Sequence, residues 1–198
     1  MASKGQRTRQ RIVDQALQLF SVKGYYHTAI NDILQATQLT KGGLYGHFPS
    51  KEAIWFAVYD QALTVWHGIV FDGVRGCADP VARIRRIIAN HLQAYLGGDC
   101  FAGGCFFVNM LVELSGQSHH MSRHILVGFV QFSKLIRGWL EAADAQSCLV
   151  PHLKHREVAN FILVAMNGAA TLYMASRDKS VLDLTQRQLE DYIDRLLR

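Results

Sequence analysis

The sequence predicts an all-α protein of about nine helices, with three short helices at the N-terminus joined by a long one to a larger helical body. Three observations lead there. Apolar residues recur at intervals of three and four along most of the chain, and no strand-like alternation is bounded by turn residues. All three prolines (Pro49, Pro80 and Pro151) fall where a periodic stretch begins or ends. Three short periodic stretches precede a long one, and no internal repeat or low-complexity tract interrupts the pattern.

Each element has its own signals. Ile12, Ala16 and Phe20, widened by Val13 and Leu17, form the stripe of the first helix, which Gly24 ends. Thr28 is placed to cap a short helix carrying Ile30, Ile33 and Leu34, and Thr37-Gln38-Leu39 reads as a turn. Thr40 caps a third, very short helix that must stop before Pro49. Ser50 caps a fourth from about Lys51 to Phe71, with Glu52 in its first turn. Asp79-Pro80 joins a cap to a proline at the first helical position, opening a helix with the stripe Ile84, Ile88, His91 and Tyr95 that stops at Gly97-Gly98. A sixth helix runs from about Gly104 to Gly116. A long seventh carries Ile125, Phe129, Phe132, Ile136 and Leu140 on one face. Two more, near His155–Arg177 and Thr185–Leu197, close the chain.

Composition excludes several classes. With 198 residues, 49% hydrophobic and 19% charged, the chain has material for a core and no signature of disorder. No apolar run approaches the ~18–20 residues of a membrane span; the nearest, Phe161 to Ala175, carries Asn167. Met1-Ala2-Ser3-Lys4 opens a polar, basic segment rather than an apolar signal core. Cys77, Cys100, Cys105 and Cys148 form no CxxC pair and need not be a disulfide framework. The expectation is a soluble, cytoplasmic protein without a membrane partner. No Ser/His/Asp set and no phosphate-cradling glycine loop after a strand is found, so neither an enzyme nor a cofactor is expected. His120 and His124 stand at i, i+4, but no third ligand is fixed and no metal is assigned.

The net charge of +5 is concentrated. Residues 1–51 hold seven Lys or Arg against Asp14 and Asp32, and the remaining 147 residues are balanced. A basic N-terminal module on a neutral body suggests a polyanionic partner. Ile30, Ile33 and Leu34 face Leu39, Leu44 and Phe48, which leaves Lys41, Gly42, Gly43, Tyr45 and His47 outward on the third helix. Two glycines there cost ~1 kcal/mol each relative to alanine. They make sense where a backbone must come close to a surface such as the wall of a major groove. The layout is that of a helix-turn-helix head.

The strings that carry this layout are Arg9-Gln-Arg-Ile-Val-Asp-Gln-Ala16, Leu19-Phe20, Gly24-Tyr25, Thr28-Ala-Ile-Asn-Asp-Ile33, Leu39-Thr-Lys-Gly-Gly-Leu-Tyr-Gly-His-Phe48 and Ser50-Lys-Glu52. Over residues 8–55 they resemble the N-terminal head of the TetR/AcrR family. The resemblance implies a homodimeric repressor with a DNA-binding head over residues 1–51 and a body over 52–198. The body would bind a small apolar or electrophilic effector and dimerise, releasing a double-stranded, palindromic operator when the effector binds. It also implies base contacts from Lys41, Gly42, Gly43 and Tyr45, and phosphate contacts from Thr28, Tyr45, His47 and Lys51. Lys41 is able to donate to guanine O6 and N7, and Arg7 and Arg9 would extend along the DNA as flexible basic arms. Where the family has Ala-Gly at the turn, this chain has Thr37-Gln38, so Gln38 either costs stability or turns the chain differently.

In the body, Gly104-Cys-Phe-Phe-Val-Asn-Met-Leu-Val-Glu-Leu114 is similar to the Gly-Cys-x-x-x-Asn-x-x-x-Glu pattern of a subgroup that includes the repressor of N-ethylmaleimide reductase, which responds to reactive electrophiles. Cys105 at a helix start would have a lowered pKa and act as a covalent switch, or else be a small buried apolar residue. Cys100, five residues away, is in range of a disulfide if the loop bends. The resemblance places an effector pocket among Trp66, His91, Tyr95, Cys105, Phe106, Met110, Phe129, Phe132 and Asn167, while the pattern alone equally lets the aromatic groups fill the core of a helical bundle and the polar ones sit there hydrogen-bonded. It places the dimer face on the last two helices at Phe161, Ala165, Ala169, Leu172, Leu189 and Ile193. The pattern alone equally allows those helices to finish the core of one subunit.

Overall fold

The computed structural model describes residues 3–198; the polar start read at Met1-Ala2 lies outside them. Nine helices form among the described residues: α1 (Lys4–Lys23), α2 (Ile30–Thr37), α3 (Lys41–Tyr45), α4 (Lys51–Val70), α5 (Pro80–Ala89), α6 (Phe106–Leu114), α7 (His119–Ala145), α8 (His155–Ser176) and α9 (Ser180–Asp194). The all-α expectation holds. An isolated bridge between Leu149 and Leu197 pins the C-terminus to the loop after α7.

Helix ends follow local chemistry. Ser3 and Gln6 form a capping box that starts α1, and Gly24, at φ +82°, ends it. Arg7 and Arg9 therefore lie on a helix and are not flexible arms, a correction to the sequence reading. A second correction concerns Thr28. The cap of α2 is Ala29, whose amide donates to Asp32 Oδ2 at 2.8 Å, while the Thr28 hydroxyl donates to the Gly24 carbonyl at 2.7 Å. Thr40 accepts from the Gly43 amide at 3.2 Å and Ser50 from the Ala53 amide at 3.0 Å, as their positions predict. Asp79 accepts from the amides of Val81 and Ala82, and Pro80 takes the first turn of α5. α5 widens into a π-helical segment, Asn90–Leu96, which ends at Gly97 as the glycine pair predicts. The Asn90 side chain ties that segment to the end of α4 by donating to the carbonyls of Val70 and Asp72 at 3.0 and 2.9 Å.

The core is continuous from head to body. Ile12, Phe20, Ile33, Leu44 and Phe48 bury α1, α2 and α3 against one another. α1 lies along α4 and, at 20 residues, is as long as that helix, so only two of the three head helices are short as expected. From there α4 carries Trp55 and Tyr59 into the body, where Trp55 Nε1 donates to Met110 Sδ at 3.4 Å. α7 and α8 pack as a pair, with α5 against α7 and α9 against α8. By length and composition α8 would suit a membrane crossing, which is more than the sequence reading allowed. Here Val158, Ala159, Ile162, Met166, Ala170 and Tyr173 turn one of its sides into the core.

Candidate DNA-binding face and effector chamber

On the head, Lys41, Gly42 and Tyr45 are exposed along α3, Gly43 and His47 are half-buried, and Leu44 and Phe48 are buried beneath them. A Cβ added to Gly42 would meet nothing within 4 Å, so packing inside the chain does not call for glycine there. Arg9 lies with its guanidinium 4.6 Å from the centre of the Phe48 ring, bringing α1's charge beside α3. Lys51 Nζ sits 4.3 Å from the Tyr25 ring centre; partial burial lowers its pKa, with Glu113 and Asp32 pulling the other way. Arg7 is exposed on α1. Thr28 is fully buried with its hydroxyl engaged, so the structure does not present its side chain to a phosphate.

The body holds a partly open cavity of about 340 Å³. Trp66, His91, Cys105, Phe129, Phe132 and Asn167 line it as expected. Tyr95, Phe106 and Met110 do not: they are buried in the surrounding core, and Met110 faces Trp55 instead. The wall also includes Tyr59, Leu63, His67 and Phe71 from the α4 side, Ile125, Gly128, Gln131 and Leu135 from α7, Leu163 and Met166 from α8, and Phe107. Tyr59, Leu63 and Trp66 follow the i, i+4, i+7 spacing of one helix face, a signal that was available in the sequence.

His91 and Cys105 are the chemically distinctive groups of the wall. Trp66 Nε1 donates to His91 Nδ1 at 3.2 Å, and burial lowers the His91 pKa to about 4. Cys105 stands at the cap of α6, where the amides of Phe107 and Val108 favour thiolate. Burial outweighs them and raises its pKa, correcting the lowered value expected from the helix start. The Tyr95 hydroxyl donates to its sulfur at 3.8 Å. All four cysteines are free thiols.

The Gly-Cys-x-x-x-Asn-x-x-x-Glu stretch turns out to be a joint. Glycine at 103 lets its loop approach the Ser21 carbonyl of α1 more closely than any Cβ would permit. Asn109 Nδ2 donates to the Gly103 carbonyl at 2.8 Å and fixes the loop. One turn on, Glu113 accepts from the Tyr25 amide through Oε2 and the Tyr26 amide through Oε1, each at 2.8 Å. α6 thus begins at the cavity with Cys105 and Phe107 and ends holding the α1–α2 turn of the head. Sequence reasoning did not find this role for Glu113.

On the last two helices, Phe161 and Leu172 are exposed and Ala165 is half-buried. Ala169, Leu189 and Ile193 instead face the subunit's own core, because α9 packs against that side of α8. Val164 (67% exposed) and Leu184 (54%) extend the outward apolar surface. His120 Nδ1 lies 3.5 Å from Glu52, and the His124 ring sits 4.7 Å from that of Tyr59. Among the described residues no group of three His, Cys, Asp or Glu is placed to hold a metal ion.

A short, basic, exposed helix on a three-helix head, joined to a body with an apolar chamber, defines a helix-turn-helix transcriptional regulator. Residues 12–58 match the family model for bacterial regulatory proteins of the tetR family, and residues 80–189 match the tetracyclin repressor-like C-terminal domain. The chain therefore belongs to the TetR family of DNA-binding transcriptional regulators. It is 28% identical over 180 residues to the HTH-type transcriptional repressor DhaR of Mycobacterium sp. (strain GP1), covering 88% of this chain and 86% of that one. A TetR transcriptional regulator from Chloroflexus aurantiacus J-10-FL superposes with a TM-score of 0.92 at 30% identity, over 98% of both chains. Escherichia coli NemR in its reduced form shares the fold, with a TM-score of 0.79 at 20% identity, over 93% of this chain and 96% of that one.

Proposed function

We propose that the protein is a cytoplasmic, homodimeric repressor without enzymatic activity, which releases a palindromic operator when a small molecule occupies the body cavity. The head over residues 1–51 reads the DNA, and the body over 52–198 holds the effector and the partner subunit. The observation that carries this reading is α6, whose first residues wall the cavity and whose Glu113 holds the head's α1–α2 turn. A ligand that displaces the start of α6 also moves Glu113, and with it the head relative to its mate. Two recognition helices must sit about 34–36 Å apart to enter successive major grooves, so a subunit arrangement that alters this spacing loses the operator. DNA and effector then oppose each other through a shared conformational equilibrium.

Lys41, Gly42, Gly43 and Tyr45 are assigned to base edges, and Tyr45, His47, Lys51, Arg7 and Arg9 to phosphates. The dimer face is assigned to Phe161, Val164, Ala165, Leu172 and Leu184. Burial of Cys105 and its raised pKa favour a ligand held reversibly over a covalent switch. The test is operator release followed by fluorescence anisotropy, with wild type and Cys105→Ser. Release of both by a non-electrophilic aromatic ligand supports the reading. Release only by a thiol-reactive reagent, abolished in Cys105→Ser, overturns it in favour of the covalent switch.

A further inference from the structure

The walls of the cavity constrain what fits in it more tightly than its volume does. None of the lining residues is Lys, Arg, Asp or Glu. Trp66 stands at the centre of an edge-to-face cluster, with ring centroids 5.1 Å from Phe132, 5.7 Å from Phe71 and 6.1 Å from Phe107. Such a lining suits a flat ring. An ionic group entering it would lose its hydration without meeting an opposite charge.

One polar group in this wall is incomplete. An indole nitrogen is only ever a donor, so the 3.2 Å bond from Trp66 Nε1 makes His91 Nδ1 the acceptor. The proton of the neutral imidazole then resides on Nε2. That atom is buried and has no hydrogen-bond partner among the described residues. Burial keeps the ring neutral at physiological pH, so it offers a hydrogen bond and no charge. The π-helical segment that carries His91 adds an independent sign, since such insertions in helices cluster at functional sites.

We propose that the cavity binds an uncharged, ring-bearing molecule whose carbonyl oxygen accepts a hydrogen bond from His91 Nε2. The inference rests on the body being the effector-binding part, and its test separates the two. Full-length protein at pH 7.5 is titrated with 2-acetylnaphthalene, 2-ethylnaphthalene and 2-naphthoate, reading the quenching of tryptophan fluorescence. The ketone is expected to bind about tenfold more tightly than the hydrocarbon of the same shape, with the carboxylate weakest. In His91→Phe the gap between ketone and hydrocarbon closes to about twofold, while the hydrocarbon still binds.

Equal binding of ketone and hydrocarbon by the wild type, tightest binding of the carboxylate, or no binding of any probe overturns the proposal. So does a gap that persists in His91→Phe. If that variant does not fold, the wild-type comparison decides alone. Operator release on the same samples reports on the regulatory reading separately. Ketone preference without release keeps the ligand chemistry and removes the regulation. Half-maximal release at the same concentration of ketone and hydrocarbon keeps the regulation and removes the hydrogen bond.

Discussion

At the scale of single residues, the proposed function divides the head into groups that read bases and groups that hold phosphates. Lys41→Ala is expected to weaken operator binding by about 1–3 kcal/mol and to relax base preference. Lys51→Ala should weaken operator and random duplexes alike; equal losses for both DNAs in both variants would remove the division of roles. Gln38 occupies the left-handed region at φ 53°, where a side chain is strained. Gln38→Gly should therefore stabilise the protein by about 1 kcal/mol, read as a raised urea midpoint. His91 tests the chamber. Its folded pKa of about 4 lies below the 6.5 of an unstrained histidine, so the unfolded chain takes up its proton first as pH falls. Stability from this group is complete above pH 6.5 and is lost towards pH 4, by roughly 3 kcal/mol. His91→Gln should lack that part of the slope in urea melts taken between pH 7 and 4.5.

At the scale of elements, α6 joins chamber to head alongside the continuous α4. Glu113→Ala leaves two backbone amides without their carboxylate, a loss of about 2 kcal/mol. The variant should still bind operator but no longer release it when the chamber fills; normal release would show that the signal travels elsewhere. Much of this architecture was legible in the sequence. The caps at Thr40, Ser50 and Asp79 depend on residues within three positions, and the structure keeps each of them. The cap of α2 was misplaced because Thr28 has a nearer acceptor in the Gly24 carbonyl, although Asp32 stood in the sequence as the marker of a cap at Ala29. The π-helical segment had no local signal, since its anchor is the far end of α4. Cys105 stands at a helix start as the sequence predicts, and of the two readings open there the structure bears out the small buried residue. Its burial by elements distant in sequence raises the pKa that the helix start alone would lower.

At the scale of the whole molecule, the outward faces of α8 and α9 present Phe161, Val164, Leu172 and Leu184 together. The small and apolar residues of both helices were visible in the sequence, but periodicity alone did not tell which side meets the subunit's own core. Ala169, Leu189 and Ile193 turned out to face inward. Leu172→Arg places a charge on the exposed side without disturbing the core. It should give a monomer by sedimentation with unchanged helicity and a loss of operator affinity of more than about tenfold, since one head alone engages half a site. A dimer that persists in this variant would place the interface on another surface. In the proposed function two heads read DNA at a fixed spacing. Its most direct test is selection of duplexes from a random pool by the full chain. The predicted result is an inverted repeat whose half-sites lie about one helical turn, 10–10.5 base pairs, apart from centre to centre. Enrichment of a single half-site, or of no sequence at all, would contradict it.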